Sequence, residues 1–114
     1  MKKDLTERLF KFAVNVLKLI QTLPNTVECN VVKYQLAKAA TSSGANYEES
    51  QAGASRADFN NKVDIALKEM RESNYWLRIL DALNLGEEKL RKELVEESRQ
   101  LKNILGTIAS KSSI

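Results

Sequence analysis

The sequence predicts an all-α protein, in which one domain of residues 1–114 folds as an antiparallel up-down four-helix bundle. Apolar residues recur every three or four positions through most of the chain, which is the periodicity of helices that bury one face. The 114 residues include one proline and four glycines, too few for a turn-rich β fold. Helix-breaking signals fall at three places, and the short connections between them favour antiparallel neighbours.

The first two predicted helices end at turn-forming residues. Helix 1 is predicted over residues 4–23, because Pro24 cannot continue it. Helix 2 is predicted over residues 26–52, with Glu28 in its first turn, where a negative charge suits the helix dipole. Gly53 then stands where glycine commonly ends a helix.

The last two helices are also delimited by local signals. Helix 3 is predicted over residues 55–83, with Ser55 as its N-cap and Asp58 three positions later, a variant of the capping box. The Asn-Leu-Gly sequence at 84–86 breaks the chain. Helix 4 is predicted over residues 87–110.

Helices 1 and 3 have apolar faces that are wider than one small bundle can cover. Apolar residues occupy more than half of the circumference of helix 1, whereas helix 4 has a narrow stripe. Large exposed apolar surfaces mark partner sites, so we expect a homo-oligomer built through helices 1 and 3. The alternative is a monomer in which both helices are deeply buried. The residues expected at the interface between copies are Phe10, Val14, Leu17, Ile65, Trp76 and Ile79.

Helix 2 contains a run of small residues, LAKAATSSGA at positions 36–45. Such a run buries little apolar surface but allows a neighbouring helix to approach closely. Gly44 costs about 1 kcal/mol of helix propensity relative to alanine. We therefore predict a close helix contact at this glycine, with a local kink as the alternative.

Several carboxylates fall on helix surfaces that should be buried. Glu69 and Glu72 lie on an apolar side of helix 3, and the antiparallel end of helix 2 offers Asn46, Glu48 and Glu49 nearby. A buried carboxylate needs a partner or a raised pKa. Three interpretations remain open. The carboxylates could form structural hydrogen bonds to the backbone, to Lys62 or Arg56, or to a neighbouring subunit; they could form a metal site of the ferritin-like kind; or they could dock a protein partner. The ferritin-like pattern requires histidine, which this chain lacks.

The chain is mildly basic. Its 18 lysines and arginines exceed its 15 acidic residues by three, and the excess is concentrated in the first 24 positions. This bias suits a nucleic-acid partner that is bound through its phosphates, although a solvated helix face is the simpler explanation. The candidate nucleic-acid-binding residues are Arg8, Lys11, Lys18, Arg56 and Lys62.

The composition excludes most catalytic chemistry. The chain has no histidine and one cysteine, Cys29, so it lacks every mechanism based on Ser-His, Cys-His or His-metal groups, and it cannot form an internal disulfide. We predict no catalytic residue, no metal and no cofactor, and a structural role for Cys29. The longest apolar stretch, residues 9–20, is too short and too polar to span a bilayer. A signal peptide is not expected, so we predict a reduced, cytoplasmic compartment.

Five ordered motifs carry a resemblance to a known family. It is the bacterial four-helix-bundle family named after proteins encoded by intervening sequences of 23S ribosomal RNA genes. The resemblance spans about residues 8–108. The motifs are QLAKAA at 35–40, SSGANYEE at 42–49, SRADF at 55–59, IALKE at 65–69 and ESNYWL at 72–77.

The resemblance implies an assembly as well as a fold. It implies a pentamer of four-helix bundles shaped as a short barrel, in line with the wide apolar faces of helices 1 and 3. The family is similar to the accessory proteins of diversity-generating retroelements, which bind RNA through a basic surface. The implied partners are therefore other copies of this chain and RNA or a nucleic-acid-processing protein. The alternative from the residues themselves is a scaffold that docks proteins at the Glu-rich site between helices 2 and 3.

Overall fold

Four helices make up the computed structural model, which describes residues 2–53 and 55–112 and the side chains of residues 5–53 and 55–111. The predicted fold class is confirmed, and no strand occurs in these ranges. Each helix begins and ends within three residues of its predicted bounds. The helices are α1 (Lys2–Ile20), α2 (Val27–Ser50), α3 (Arg56–Ala82) and α4 (Glu88–Ser112).

Side-chain caps fix where three of the helices begin. The Thr26 hydroxyl accepts a hydrogen bond from the backbone N–H of Cys29 at 3.2 Å, and Ser55 accepts one from Asp58 at 3.1 Å. The Glu87 carboxylate accepts two backbone hydrogen bonds, at 3.0 and 3.1 Å, from the first turn of α4. Each cap satisfies N–H groups that have no partner within their own helix.

The helices form a square bundle that measures 44 × 22 × 20 Å. Helix α1 packs against α2 and α4, and α3 packs against the same two helices. The side of the bundle formed by α1 and α2 is therefore opposite the side formed by α3 and α4. Along the central axis, apolar side chains from all four helices form one core. Its largest fully buried members are Tyr47, Phe12, Leu9, Leu19, Leu36, Met70, Leu77, Leu80, Leu101 and Leu105.

The small-residue run of α2 brings two neighbouring helices close. A Cβ atom added to Gly44 would lie 3.5 Å from both the Cβ and the carbonyl oxygen of Leu9, so α1 passes directly over this glycine. Ser43 is fully buried, and its hydroxyl donates a 2.7 Å hydrogen bond to the carbonyl of Ala66 on α3. The predicted close contact is confirmed, and α2 is continuous through it.

The connection between α3 and α4 is held by a buried arginine. Arg91 is only 2% exposed. Its Nε donates to Oδ1 of Asp81 at 2.8 Å, and its guanidinium donates to the carbonyl of Gly86 at 2.9 Å. Gly86 has a φ of 86°, a conformation that other residues rarely adopt. A Cβ added there would lie 3.1 Å from side-chain atoms of Leu19 and Leu23.

A second buried polar contact joins α3 to α4 nearer the middle of the bundle. The Asn74 amide donates to the Ser98 hydroxyl at 2.9 Å, and that hydroxyl donates to the backbone carbonyl of Val95. The Asn74 carbonyl oxygen accepts from Arg78 at 2.9 Å. Because unpaired buried polar groups are costly, these bonds favour one register of α4 on α3.

Two glycine substitutions should have opposite effects on stability. Gly86→Ala should lower the free energy of unfolding by about 1–2 kcal/mol or more, because it forces a positive φ and crowds Leu19 and Leu23. Gly44→Ala should raise it by up to about 1 kcal/mol, because the added methyl meets Leu9 at ordinary contact distance and favours the helix. Chemical denaturation followed by circular dichroism measures both. Equal effects would contradict the described packing.

Asp81 should make stability depend on acidic pH. The hydrogen bond from Arg91 lowers the pKa of Asp81 below its ordinary value of 3.8, and Lys92 lowers it further. The charged carboxylate therefore stabilises the fold above about pH 3.8, and this contribution is lost as the pH falls towards the pKa of the folded state. Asp81→Asn should melt below the wild type at neutral pH, and the gap should close in acid. If the difference in melting temperature between the wild type and the variant stays constant as the pH falls below about 3.8, the Asp81 carboxylate is not the cause of the pH dependence.

Candidate assembly face and nucleic-acid interface

An apolar groove lies between α1 and α2 on the outside of the bundle, with a volume of about 330 Å³. The Phe10 side chain is 63% exposed beside it, and Leu17 is 40% exposed. Val14 is half-buried between them. The groove is lined by Leu9, Phe10, Ala13, Val14, Leu17, Thr41, Gly44, Ala45 and Glu48. We call this side, together with the exposed residues of α2 described next, the α1–α2 face.

The exposed apolar surface continues along α2. Val27, Val31 and Tyr34 are all more than half exposed, and Tyr34 reaches 65%. They follow one another at steps of four and three positions, and the exposed Lys38 separates them from Thr41 and Ala45 further along the same side of α2. These three residues were not predicted as part of a surface, because the small residues are the more prominent feature of helix 2. Their spacing of four and then three positions was a visible signal.

The second apolar side of α3 is less exposed than the α1–α2 face. Ile65, Trp76 and Ile79 were predicted to face another copy, but each is half-buried within one bundle. Trp76 packs against the core, and its indole donates a 3.1 Å hydrogen bond to Glu72. Ile79 lines a small cavity that it shares with Cys29 of α2. A single copy therefore covers much of the α3 surface that sequence analysis assigned to an interface.

The predicted polar cluster is spread over two sides of α2. Glu48 lines the α1–α2 groove, whereas Glu49 accepts a hydrogen bond from a lysine of α3 at 2.9 Å. The Asn46 amide donates to the backbone and hydroxyl of a serine one turn earlier. Glu69 and Glu72 are half-buried on α3. No group of three or more His, Cys, Asp or Glu residues able to hold a metal ion occurs among the described residues.

Two of the predicted RNA-binding cations are engaged in ion pairs. Arg8 of α1 donates two hydrogen bonds to Glu97 of α4, at 2.8 and 3.0 Å, and this hydrogen bonding raises the pKa of Arg8 above its ordinary value. Lys62 donates to Glu49 at 2.9 Å, which raises the pKa of Lys62 in the same way. Both pairs join neighbouring helices. Lys62 was among the partners considered for the carboxylates of helices 2 and 3, whereas the partner of Arg8 was not predicted.

The other three predicted cations are exposed. Lys11 and Lys18 lie two turns apart on α1, on the side next to α4, and Arg56 begins α3. Within residues 5–53 and 55–111, none of the three forms an ion pair. Their charges are available to an external anion.

A further set of cations escaped the sequence analysis. Arg71 of α3 and Lys102 and Lys111 of α4 line an open groove on the side opposite the α1–α2 face. They are far apart in sequence, and only the packing of α3 against α4 brings them to one groove. No local motif could have identified them.

The fold and these surfaces define a small helical-bundle protein with an uncovered apolar face and several unpaired cations. The chain belongs to the family of 23S rRNA-intervening sequence proteins, whose sequence model matches residues 2–107. The resemblance drawn from the five motifs is therefore confirmed. None of the described helices is long and apolar enough to cross a membrane.

A solved structure has the same fold. It is the 1.70 Å crystal structure of a protein with unknown function from the S23 ribosomal protein family of Bacteroides thetaiotaomicron. The two chains are 32% identical and superpose with a TM-score of 0.81, over 92% of this chain and 97% of that one. A search of the curated proteins finds no match.

Proposed function

We propose that this chain is a cytoplasmic, non-enzymatic protein that assembles with copies of itself through the α1–α2 face and binds RNA through exposed cations. The observation that carries the proposal is the division of the bundle surface. Exposed apolar side chains lie along one side, at Phe10, Leu17 and Tyr34, whereas the unpaired cations Lys11 and Lys18 face the side next to α4. The protein can therefore assemble through the α1–α2 face while the cations on the side next to α4 remain accessible to RNA.

Exposure of the α1–α2 face supports self-assembly. Large apolar side chains that project from a groove floored by small residues are typical of surfaces that become buried in a complex. The family resemblance implies a closed ring of five. A ring requires a heterologous contact, in which the α1–α2 face of one copy meets a different surface of the next.

Charge supports an RNA ligand. Each chain carries a net charge of +3. In an oligomer these charges add, so the assembly attracts a polyanion such as RNA more strongly than one chain does. Lys11, Lys18 and Arg56 form no ion pair within the described residues, so their charges are free to contact a phosphate, although Lys11 shares a groove with Glu93 and Glu97. Contacts of this kind are made to the phosphate backbone of the RNA, so they do not depend on its base sequence.

A charge placed on the α1–α2 face should break the assembly. Phe10→Glu should convert the wild-type oligomer into a helical monomer of 12.9 kDa, because burying an unpaired carboxylate in an interface is costly. Tyr75→Glu is the matched control, since Tyr75 is a 51% exposed aromatic residue on another helix. Size-exclusion chromatography with light scattering gives the masses. A monomeric wild type, or equal disruption by both variants, would overturn the proposed assembly.

The unpaired cations should contribute more to RNA binding than the paired ones. Lys11→Gln/Lys18→Gln should weaken binding of a single-stranded RNA, and should make the plot of log affinity against log salt shallower by about 0.7 for each lost phosphate contact. Arg8→Gln/Lys62→Gln removes the same charge but should change the affinity for RNA less, because Arg8 and Lys62 already form ion pairs with Glu97 and Glu49. Fluorescence anisotropy at several salt concentrations measures both. A wild type that fails to bind at low salt would refute the RNA role.

A further inference from the structure

The groove between α3 and α4 is a second basic surface, lined by three cations and three polar side chains. Its volume is about 600 Å³, and it opens to solvent. Arg71 borders it from α3, and Lys102 and Lys111 border it from α4. No acidic residue is among its described lining residues, although 15 of the 114 residues of the chain are acidic.

The two cations that α4 contributes to this groove differ from most of the other cations on α4. Arg91, Lys92 and Arg99 all form ion pairs with carboxylates of α3 or α4. Over residues 5–53 and 55–111, neither Arg71 nor Lys102 has a carboxylate within 4.0 Å, and the same holds for Lys111. Within these ranges, their positive charges have no ion-pair partner.

Polar groups between the cations add hydrogen-bond donors. The Asn103 amide and the Ser110 hydroxyl line the groove and have no hydrogen-bond partner in the described part of the chain. The Thr107 hydroxyl, by contrast, donates to the backbone carbonyl of Asn103 at 3.1 Å. An anion in the groove would thus meet two neutral donors as well as three charged ones.

A glycine is among the residues that line the groove. Gly106 lies within α4, where it costs about 1 kcal/mol of helix stability relative to alanine. Packing does not demand a glycine here, because the nearest atom to an added Cβ would be Cδ1 of Leu67, at 4.0 Å. Its effect is to leave space between Lys102 and Lys111.

The spacing of the charges points to an extended ligand. Lys102 and Lys111 are nine residues apart on α4, which separates their Cα atoms by roughly 14 Å along the helix. Arg71 lies across the groove and has the planar guanidinium that suits two oxygens of one phosphate. A single small anion cannot contact all of these groups, whereas a chain of linked phosphates can.

We propose that the α3–α4 groove binds the phosphodiester backbone of an RNA strand, with Arg71, Lys102 and Lys111 contacting successive phosphates. This inference rests on the proposed RNA-binding function and adds a second contact site to Lys11 and Lys18. The groove lies on the side of the bundle opposite the α1–α2 face. The proposal therefore requires that the next copy in a ring contacts the α1–α2 face with a surface other than the α3–α4 side. Because its donors contact phosphates and not bases, binding is independent of sequence.

Matched variants of the full chain test the site. Arg71→Gln/Lys102→Gln should weaken binding of a mixed-sequence single-stranded RNA by about tenfold and reduce the salt slope by about 1.4, the value for two lost contacts. Lys33→Gln/Lys89→Gln removes the same charge outside the groove and should have a smaller effect. Gly106→Glu should also weaken binding by placing a carboxylate in the groove, whereas Gly106→Ala should not. Circular dichroism confirms that each variant is folded.

The outcomes separate this inference from the proposed function. If the wild type binds RNA and the Arg71/Lys102 variant binds no worse than the Lys33/Lys89 control, the groove is not the site, and the RNA-binding function stands. If the wild type does not bind RNA at low salt, both fail. If the groove variants lose affinity for an acidic peptide but keep their affinity for RNA, the groove is a protein-docking site and the inference is wrong.

Discussion

Helix α1 carries more apolar surface than its two neighbours can cover, and this constraint shapes the rest of the molecule. Its inner residues fill the core, while the close approach over Gly44 brings α1 against α2 and leaves no room for side chains between them. Phe10 and Leu17 must then project outward on either side of the contact. The same small residues that allow tight packing inside one copy thus create a shallow apolar groove for another.

The opposite side of the bundle is organised by polar contacts. Buried hydrogen bonds from Asn74 to Ser98 and from Arg91 to Asp81 fix α4 on α3 in one register. That register determines which outward-facing residues become neighbours, and it brings Arg71 beside the C-terminal half of α4. Specific polar pairing inside the bundle therefore determines the charge pattern on its surface.

The sequence predicted those features that depend on local chemistry. The helix bounds and the Ser55 cap follow from residues within a few positions of each other, and the role of Gly44 follows from its small neighbours. The sequence could not predict the Arg8–Glu97 ion pair, because its two residues are 89 positions apart. The α3–α4 groove was missed for the same reason, because its members come together only through helix packing. The exposed residues Val27, Val31 and Tyr34 of α2 could have been predicted, since their helical spacing is visible in the sequence.

Comparison of two tyrosines in the wild-type protein tests most directly the claim that another copy covers the α1–α2 face. Tyr34 and Tyr75 have the same chemistry and are 65% and 51% exposed in one copy. Hydroxyl-radical footprinting should modify Tyr75 readily and Tyr34 slowly, with Tyr34 becoming reactive on dilution as the assembly dissociates. If Tyr34 reacts as fast as Tyr75 at every protein concentration, the face is open to solvent and the account is wrong.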